Sequence, residues 1–421
     1  MISMALAILV FIFTYLLIAT ERFDRTVVAM AGGLAMIFLG VISQEEAFAG
    51  IDLNVIFLLV GMMVIADIMR RTGVFQWMAV RTVKLARGNP YLILILLSTV
   101  TAVVSAFLDN VTTVVLVAPM SLFLSTHLRI SPLPFLISAI LASNIGGSAT
   151  LIGDPPNILI GSAAGLDFLA FILNLAPVAA VVLVVALVTV RVLFDKDLTV
   201  DGDLKERLME LDESDLITDP QLLRKALAVL CLVILGFVLH GSLGFQLATV
   251  ALAGAAALML WGRQSPGEVL REVEWGTLFF LIGLFMVVEG VVKVGLTEAL
   301  ARGTLSITGD NALATSLLVM WLSALVSGVI GNIPLTTTMI PIVRALGDSV
   351  ATTPVWWSLA LGACLGGNLT LVAAAANVII ANIAGRSGYP VTFGHFLKYG
   401  VIVTLESLVI SSAYVWLRYL R

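Results

Sequence analysis

Four polar clusters interrupt an otherwise apolar chain, and each carries groups that bind or exchange ions. The densest is Ser143-Asn144-Ile145-Gly146-Gly147-Ser148-Ala149-Thr150-Leu151-Ile152-Gly153-Asp154-Pro155-Pro156-Asn157, inside a hydrophobic stretch from about Pro132 to Gly165. The others are Asp109-Asn110-Val111-Thr112-Thr113, Gly331-Asn332-Ile333-Pro334-Leu335-Thr336-Thr337-Thr338, and Gly366-Gly367-Asn368-Leu369-Thr370 through Asn377. Asp109 and Asp154 are carboxylates in apolar surroundings, where ionisable groups are expensive and mark ion or proton pathways. They are the expected coupling pair, binding a proton or, alternatively, sodium. Amides and hydroxyls suit a small polyhydroxylated or oxyanionic solute, or a partly dehydrated cation. The expected substrate-binding set is therefore Asn110, Thr112, Thr113, Ser148, Thr150, Asn157, Asn332, Thr336, Asn368, Thr370 and Asn377.

A continuous helix resists Gly-Gly followed by Gly-Asp-Pro-Pro. Each proline removes an N–H and clashes with the preceding turn, and each glycine costs about 1 kcal/mol relative to alanine. Opened backbone at membrane depth survives where it lines a cavity or is buried in protein. Broken helix ends then present N–H groups with positive partial charge, and carbonyls opposite.

Composition supplies the setting. Of 421 residues, 60% are hydrophobic and 12% charged, with a mean hydropathy of +1.09. That identifies an all-α polytopic membrane protein whose solvent is a lipid bilayer. The first segment (Leu6 to Ala19) lacks a clear small-residue cleavage site and reads as a spanning helix. Cys231 and Cys364 are too isolated for a disulfide framework. His127, His240 and His395 have no partner at metal-ligand spacing, so no metal and no cofactor is expected. The small net charge of −4 gives no sign of nucleic-acid binding.

Hydrophobic runs fall at about 4–20, 25–43, 51–69, 91–126, 132–165 and 168–193. After an acidic segment from Asp195 to Asp219 they resume at about 223–240, 244–262, 275–294, 311–346, 355–384 and 391–417. The two series match. Gly32, Gly61, Asp67, Gly73, Ser105, Asn110 and Pro119 fall on Gly254, Gly283, Glu289, Gly295, Ser327, Asn332 and Pro341 at an offset of 222. Gly146-Gly147, Thr150-Leu151 and Asn157 fall on Gly366-Gly367, Thr370-Leu371 and Asn377 at an offset of 220. An internal repeat of this kind is the signature of secondary transporters.

The runs 91–126 and 311–346 are each about twice the length of one crossing. Read as re-entrant hairpins, they put most of the basic residues on one side. The opposite side keeps Lys293, Arg302, Arg344, Arg418 and Arg421. Read as double spans, they divide the charge almost evenly, so the positive-inside rule favours hairpins. Five crossings per half is odd, which makes the repeats inverted. The expected architecture is ten transmembrane helices and two hairpins, with broken helices at the midplane. Its parts are an N-terminal repeat, 1–194, with a hairpin at about 91–126 and a broken helix at about 132–165; a charged cytoplasmic linker, 195–222; and a C-terminal repeat, 223–421, with a hairpin at about 311–346 and a broken helix at about 355–384. Both termini are expected outside.

Plainer readings apply elsewhere. Asp52 and Glu274 open their helices and read as N-terminal caps. Asp67 and Glu289 match across the repeat at span ends and read as interfacial. Asp109 also reads as a cap at a hairpin tip, Cys364 as an ordinary buried cysteine, and the Gly-Gly pairs as packing contacts. The repeat fails at two positions, where Asp109 meets Gly331 and Asp154 meets Ala374. Ion coupling is therefore expected mainly in the N-terminal half.

The pairing of Ala106-Phe107-Leu108-Asp109-Asn110-Val111-Thr112-Thr113 with Asn144 through Asn157, together with Gly366-Gly367-Asn368 and Asn332-Ile333-Pro334, resembles the ion transporter superfamily over essentially the whole chain. More narrowly it resembles the branch of bacterial arsenite/antimonite efflux permeases, NhaD-type sodium/proton antiporters and the melanosomal P protein. The resemblance implies a scaffold domain and a transport domain, with hairpin tips and helix breaks forming the site. Gly331 departs from it, standing where P-like relatives tend to have a second Asp-Asn. The arsenical permeases exchange trivalent metalloid for protons, in some cases with a soluble ATPase, which makes such an ATPase a candidate partner here. The expected activity is export of arsenite or antimonite from the cytoplasm in exchange for protons, across a bacterial or archaeal inner membrane. The alternatives are a sodium/proton antiporter of the same fold and another small-anion permease. An intramembrane aspartyl enzyme using Asp109 and Asp154 is disfavoured, because the repeat already accounts for their setting.

Overall fold

A computed structural model describes residues 2–20, 22–195, 198, 216–309, 311–347 and 349–419. Most of the acidic segment in the expected linker, 195–222, lies outside the described residues. Twenty helices and no strands are present among those described. Numbered along the chain, they form ten matching pairs. The first five are α1 (Ile2–Thr20) with α11 (Pro220–Leu243), α2 (Arg25–Phe38) with α12 (Leu247–Gly262), α3 (Gln44–Ala49) with α13 (Pro266–Arg271), α4 (Leu53–Arg71) with α14 (Trp275–Lys293), and α5 (Val74–Leu85) with α15 (Leu296–Thr308). The second five are α6 (Pro90–Phe107) with α16 (Ala312–Ile330), α7 (Asn110–Leu128) with α17 (Asn332–Leu346), α8 (Leu133–Gly147) with α18 (Thr352–Gly366), α9 (Pro155–Ala164) with α19 (Ala375–Arg386), and α10 (Phe168–Leu193) with α20 (Phe393–Tyr419). Nine of the described helices are long and apolar enough to cross a membrane; α2, α8 and α12 are shorter and apolar. This is a polytopic membrane protein.

Local chemistry repeats along with the order. Asn89 caps α6 by accepting from the Tyr91 and Leu92 N–H groups, and Asn311 caps α16 through Leu313 and Ala314. Such caps contribute about 1 kcal/mol each. Gly61 packs on the backbone of Ala251, and its counterpart Gly283 packs on Ala29. A Cβ at either would lie within 2.7 or 2.4 Å of backbone. These glycines let α4 cross α12 and α14 cross α2, so the two halves interlock. Further along, α6 packs on α8 and α16 on α18, while α7 meets α19 and α9 meets α17.

The pair α10 and α20 packs antiparallel. Near one end Phe194 stacks on Tyr399 at 4.5 Å; near the other, Tyr414 donates to the Asn174 carbonyl at 2.8 Å.

Four helices depart from the sequence reading, which placed loops there. The short α3 and α13 precede α4 and α14, and α5 and α15 follow them. Their lengths of 6 to 13 residues are below a crossing, and their charges read as solvated loop. In the fold α5 lies against α6 and α7, and α15 against α16 and α17.

Candidate functional site

The centre of the molecule is where two helix pairs end beside two helix breaks. The α6–α7 pair turns at Leu108-Asp109, and α16–α17 turns at Gly331. The breaks are the non-helical segments 148–154 between α8 and α9 and 367–374 between α18 and α19. Gly146 approaches Ala102 and Gly366 approaches Ala324 so closely that an added Cβ would meet a carbonyl oxygen at 2.1 or 2.6 Å. Only glycine permits each helix pair to lie that tightly on its broken neighbour.

Buried backbone opened at the breaks needs new partners, and side chains from the same motifs supply them. The Asn157 amide donates to the carbonyls of Gly147, Ser148 and Thr150 at 3.4, 3.2 and 2.8 Å. Asn377 does the same for Gly367 and Thr370 at 2.7 and 3.0 Å. Thr150 Oγ1 donates to the Ala106 carbonyl, and Thr370 Oγ1 to that of Gly328 at 2.6 Å. Thr113 Oγ1 bonds the Asp109 carbonyl at 2.9 Å, Thr336 Oγ1 that of Asn332 at 2.7 Å, and Ser148 Oγ that of Ile145 at 2.6 Å. Asn368 accepts from Asn144 at 2.9 Å. Of these eight members of the expected substrate-binding set, six brace the breaks, and Thr113 and Thr336 bond carbonyls at the two turns. None lines the central cavity, because their polar atoms are turned to backbone or to other amides.

That cavity has a volume of about 330 Å³, and its polar lining includes Asp24, Arg25, Asp109, Asn110, Asp154, Glu274 and Asn332. Asp154 is fully buried and forms no ion pair among the described residues. Although it precedes α9, its side chain caps nothing. It accepts from Asn332 at 3.2 and 3.4 Å and from Asn110 at 3.5 Å, so amides from both turns converge on one carboxylate. Asp109 both lines the cavity and caps α7, accepting from the Thr112 N–H at 2.8 Å and from Thr112 Oγ1 at 2.6 Å. A carboxylate among neutral donors, with no fixed cation beside it, can take up and release a proton or a small cation.

Three residues here escaped the sequence reading. Glu274 was expected as a cap, yet it makes no cap hydrogen bond and instead lines the cavity. A carboxylate at a helix start carries the cap signal in either case. Arg25 also lines the cavity, with its guanidinium over the Phe280 ring at 5.4 Å. Asn144 bridges Asn110, Asn368 and Asn377 at 3.4, 2.9 and 3.1 Å. The 220 offset pairs it with Cys364, whose thiol donates to Asn157 at 3.5 Å. That alignment was the available signal.

Comparison with known proteins adds the family. The chain is 45% identical to the uncharacterized transporter Rv2684 of Mycobacterium tuberculosis over 98% of each chain. It is 32% identical to the P protein of Sus scrofa, covering 95% of this chain and 58% of that protein. The fold resembles the crystal structure of the Alcanivorax borkumensis YdaH transporter, with a TM-score of 0.58 at 17% identity and 98% coverage of both chains. The profile of the citrate transporter family, CitMHS, matches residues 15–362. A buried carboxylate between two helix turns thus sits in a membrane transporter, and the chain belongs to the CitMHS citrate transporter family.

Proposed function

We propose that this transporter is a proton-coupled antiporter that exports a small hydroxylated solute, with arsenite or antimonite as the best-fitting substrates. One observation carries the reading: Asp154 is fully buried, lacks a cationic partner among the described residues, and is held by Asn110 and Asn332 from opposite halves. Asp154 and Asp109 take up the coupling proton. Asn110 and Asn332 orient the solute, and Thr112 holds Asp109 at the first turn. The braced residues act by keeping the breaks open. The trihydroxides of trivalent arsenic and antimony are uncharged near neutral pH and match a cavity whose polar side chains are mostly amides and carboxylates. The ATPase association implied by the arsenical resemblance stays part of this proposal. Sodium in place of the metalloid is the antiporter alternative, since carboxylate and amide oxygens bind it equally well.

Citrate is the second reading, favoured by the family's description and by Arg25 in the cavity lining. It is ranked below because a multiply charged anion would lie beside Asp109, Asp154 and Glu274.

The topology proposed is the inverted one. Both turns meet one residue, Asp154, which lies between α8 and α9 rather than at a chain surface; this supports α6–α7 and α16–α17 as hairpins entering from opposite faces. The antiparallel packing of the matched helices α10 and α20 supports a two-fold axis in the membrane plane. With most basic loops cytoplasmic, the 195–222 segment is cytoplasmic and both termini are outside, in a bacterial or archaeal inner membrane.

The test is solute uptake by everted vesicles, with and without an imposed proton gradient and with sodium absent. Arsenite uptake that collapses with the gradient and in Asp154→Asn supports metalloid/proton exchange. Gradient-driven citrate uptake moves the substrate to the second reading, and sodium-dependent pH change without arsenite uptake moves it to sodium. Transport unaffected by Asp154→Asn overturns the coupling site.

A further inference from the structure

Glu274 stands at the joint between two cavities. It lines the central cavity with Asp109 and Asp154, and also a smaller one of about 190 Å³ lined by Asp67, Arg70, Thr112 and Glu272. Three residues are common to both linings. Met63 and Val111 are apolar, which leaves Glu274 as the shared ionisable group.

Its counterpart in the other half shows what an ordinary carboxylate does at this position. Asp52 caps α4 through the Val55 N–H at 3.1 Å and accepts from Ser162 Oγ at 2.5 Å. Both contacts hold it in place. Glu274 caps no backbone N–H; Thr277 Oγ1 donates to its Oε2 at 3.1 Å. It also carries one more methylene than Asp52, which lengthens its reach. The chain has therefore kept a carboxylate here without using it as a cap.

We propose that Glu274 is a positioning and relay residue that passes the coupling proton between Asp109–Asp154 and the small cavity at the end of α4. This rests on the proton-coupled reading above. In the step, an O–H bond of the Asp109 or Asp154 carboxyl breaks as one forms on Glu274; the proton then leaves Glu274 for solvent in the small cavity, and no other bond changes. The charged groups facing Glu274 are Asp24, which caps α2, Arg25 at the start of α2, Asp67 and Arg70 from α4, Asp109 at the first turn, Asp154 at the first break, and Glu272 from its own chain segment. Arg70 is already engaged by Asp67 at 2.6 Å and Glu272 at 2.7 Å. Arg25 is the cation left to hold an ionised Glu274 near the path.

The experiment uses the full chain in proteoliposomes, with whichever of arsenite, citrate and sodium the wild type exchanges for protons. Two rates are compared: proton-coupled exchange, followed with an internal pH dye, and solute counterflow, which moves no net proton. Glu274→Gln is expected to slow coupled exchange about tenfold or more, on the scale of a lost proton-transfer group. It should also remove one titration step from the pH profile, with coupled exchange falling several-fold more than counterflow. Glu274→Asp is expected to recover part of the coupled rate. Coupled exchange at the wild-type rate in Glu274→Gln, or equal loss of both rates, overturns the relay alone. A wild type that moves protons with none of the three solutes overturns the coupled reading, and the relay with it.

Discussion

The two halves of this protein share a backbone plan and divide the chemistry. Asn157 and Asn377 brace equivalent breaks with equivalent bonds, and Ser105 and Ser327 each donate to a carbonyl of the neighbouring broken helix, at 2.8 and 2.9 Å. At the turns and breaks themselves the carboxylates, Asp109 and Asp154, stand in the N-terminal half only. The two asymmetries differ in kind. Ala374 has φ −137° and ψ 147°, close to the −144° and 134° of Asp154, so the second break has the same conformation with a methyl in place of the carboxylate side chain. Gly331 has φ 93°, against −63° for Asp109, and its neighbour Asn332 donates its N–H to the Ala373 carbonyl at 3.2 Å. There the backbone itself changed, into a region glycine tolerates and other residues do not. The halves thus differ by a side chain at one position and by backbone conformation at the other.

The strongest way to break this comparison is Asp154→Asn. Gradient-driven transport in everted vesicles is expected to fall to background while the unfolding temperature stays near wild type, because Asn fits the same space. Retained coupling would place the chemistry in the other half. Next, Asn157→Ala and Asn377→Ala should each leave buried carbonyls unpaired. Each should cost about 1–3 kcal/mol per orphaned group, to a similar degree in both halves. Denaturant or thermal unfolding in detergent measures this, and a large difference would show that the breaks are not equivalent supports. Gly331→Ala should cost about 1–2 kcal/mol from its positive φ alone, since the nearest atoms to an added Cβ are 3.6 Å away. An unchanged stability would erase the backbone distinction between the turns.

The smallest effect is expected at the outer ends of the same helices. At the end of α4, Asp67 accepts from Arg70 and Arg71, which also hold Glu272 and Glu268. The matching end of α14 has one exposed pair, Lys293 with Glu46 at 2.5 Å. That hydrogen bond holds the Glu46 carboxyl below its ordinary range. Its contribution is therefore present at neutral pH and is lost as pH falls through the lowered value. Exposed pairs of this kind contribute little, so Lys293→Ala should leave the unfolding temperature unchanged within error. A clear drop would mean the two ends are closer in strength than their charges indicate.

Much of the central arrangement could be read beforehand, because Gly-Gly and Gly-Asp-Pro-Pro in an apolar stretch leave the backbone no regular option. Asp109, Asn110, Asp154 and Asn332 all reached the cavity for that reason. The hydroxyls and amides were harder. A threonine or asparagine in sequence shows a donor but not which carbonyl it will meet, so Thr150, Thr370, Asn157 and Asn377 read as solute ligands, while in the structure their donors go to backbone carbonyls. Glu274 was hidden by its address at a helix start. The helices α5 and α15 were hidden by length and charge; Arg81 and Lys84 make the first look like a basic loop.

The contacts of Gly146 with Ala102 and of Gly366 with Ala324 bear on reversibility. With the helix pairs pressed to the broken helices at backbone distance and the breaks tied down by side-chain amides, the pocket has little freedom to change shape. A pocket of constant shape offers a solute the same affinity whichever face of the membrane it is open to. Under the proton-coupled reading proposed above, the direction of net exchange is then set by the combined solute and proton gradients, and the same molecule runs backwards when their sum changes sign.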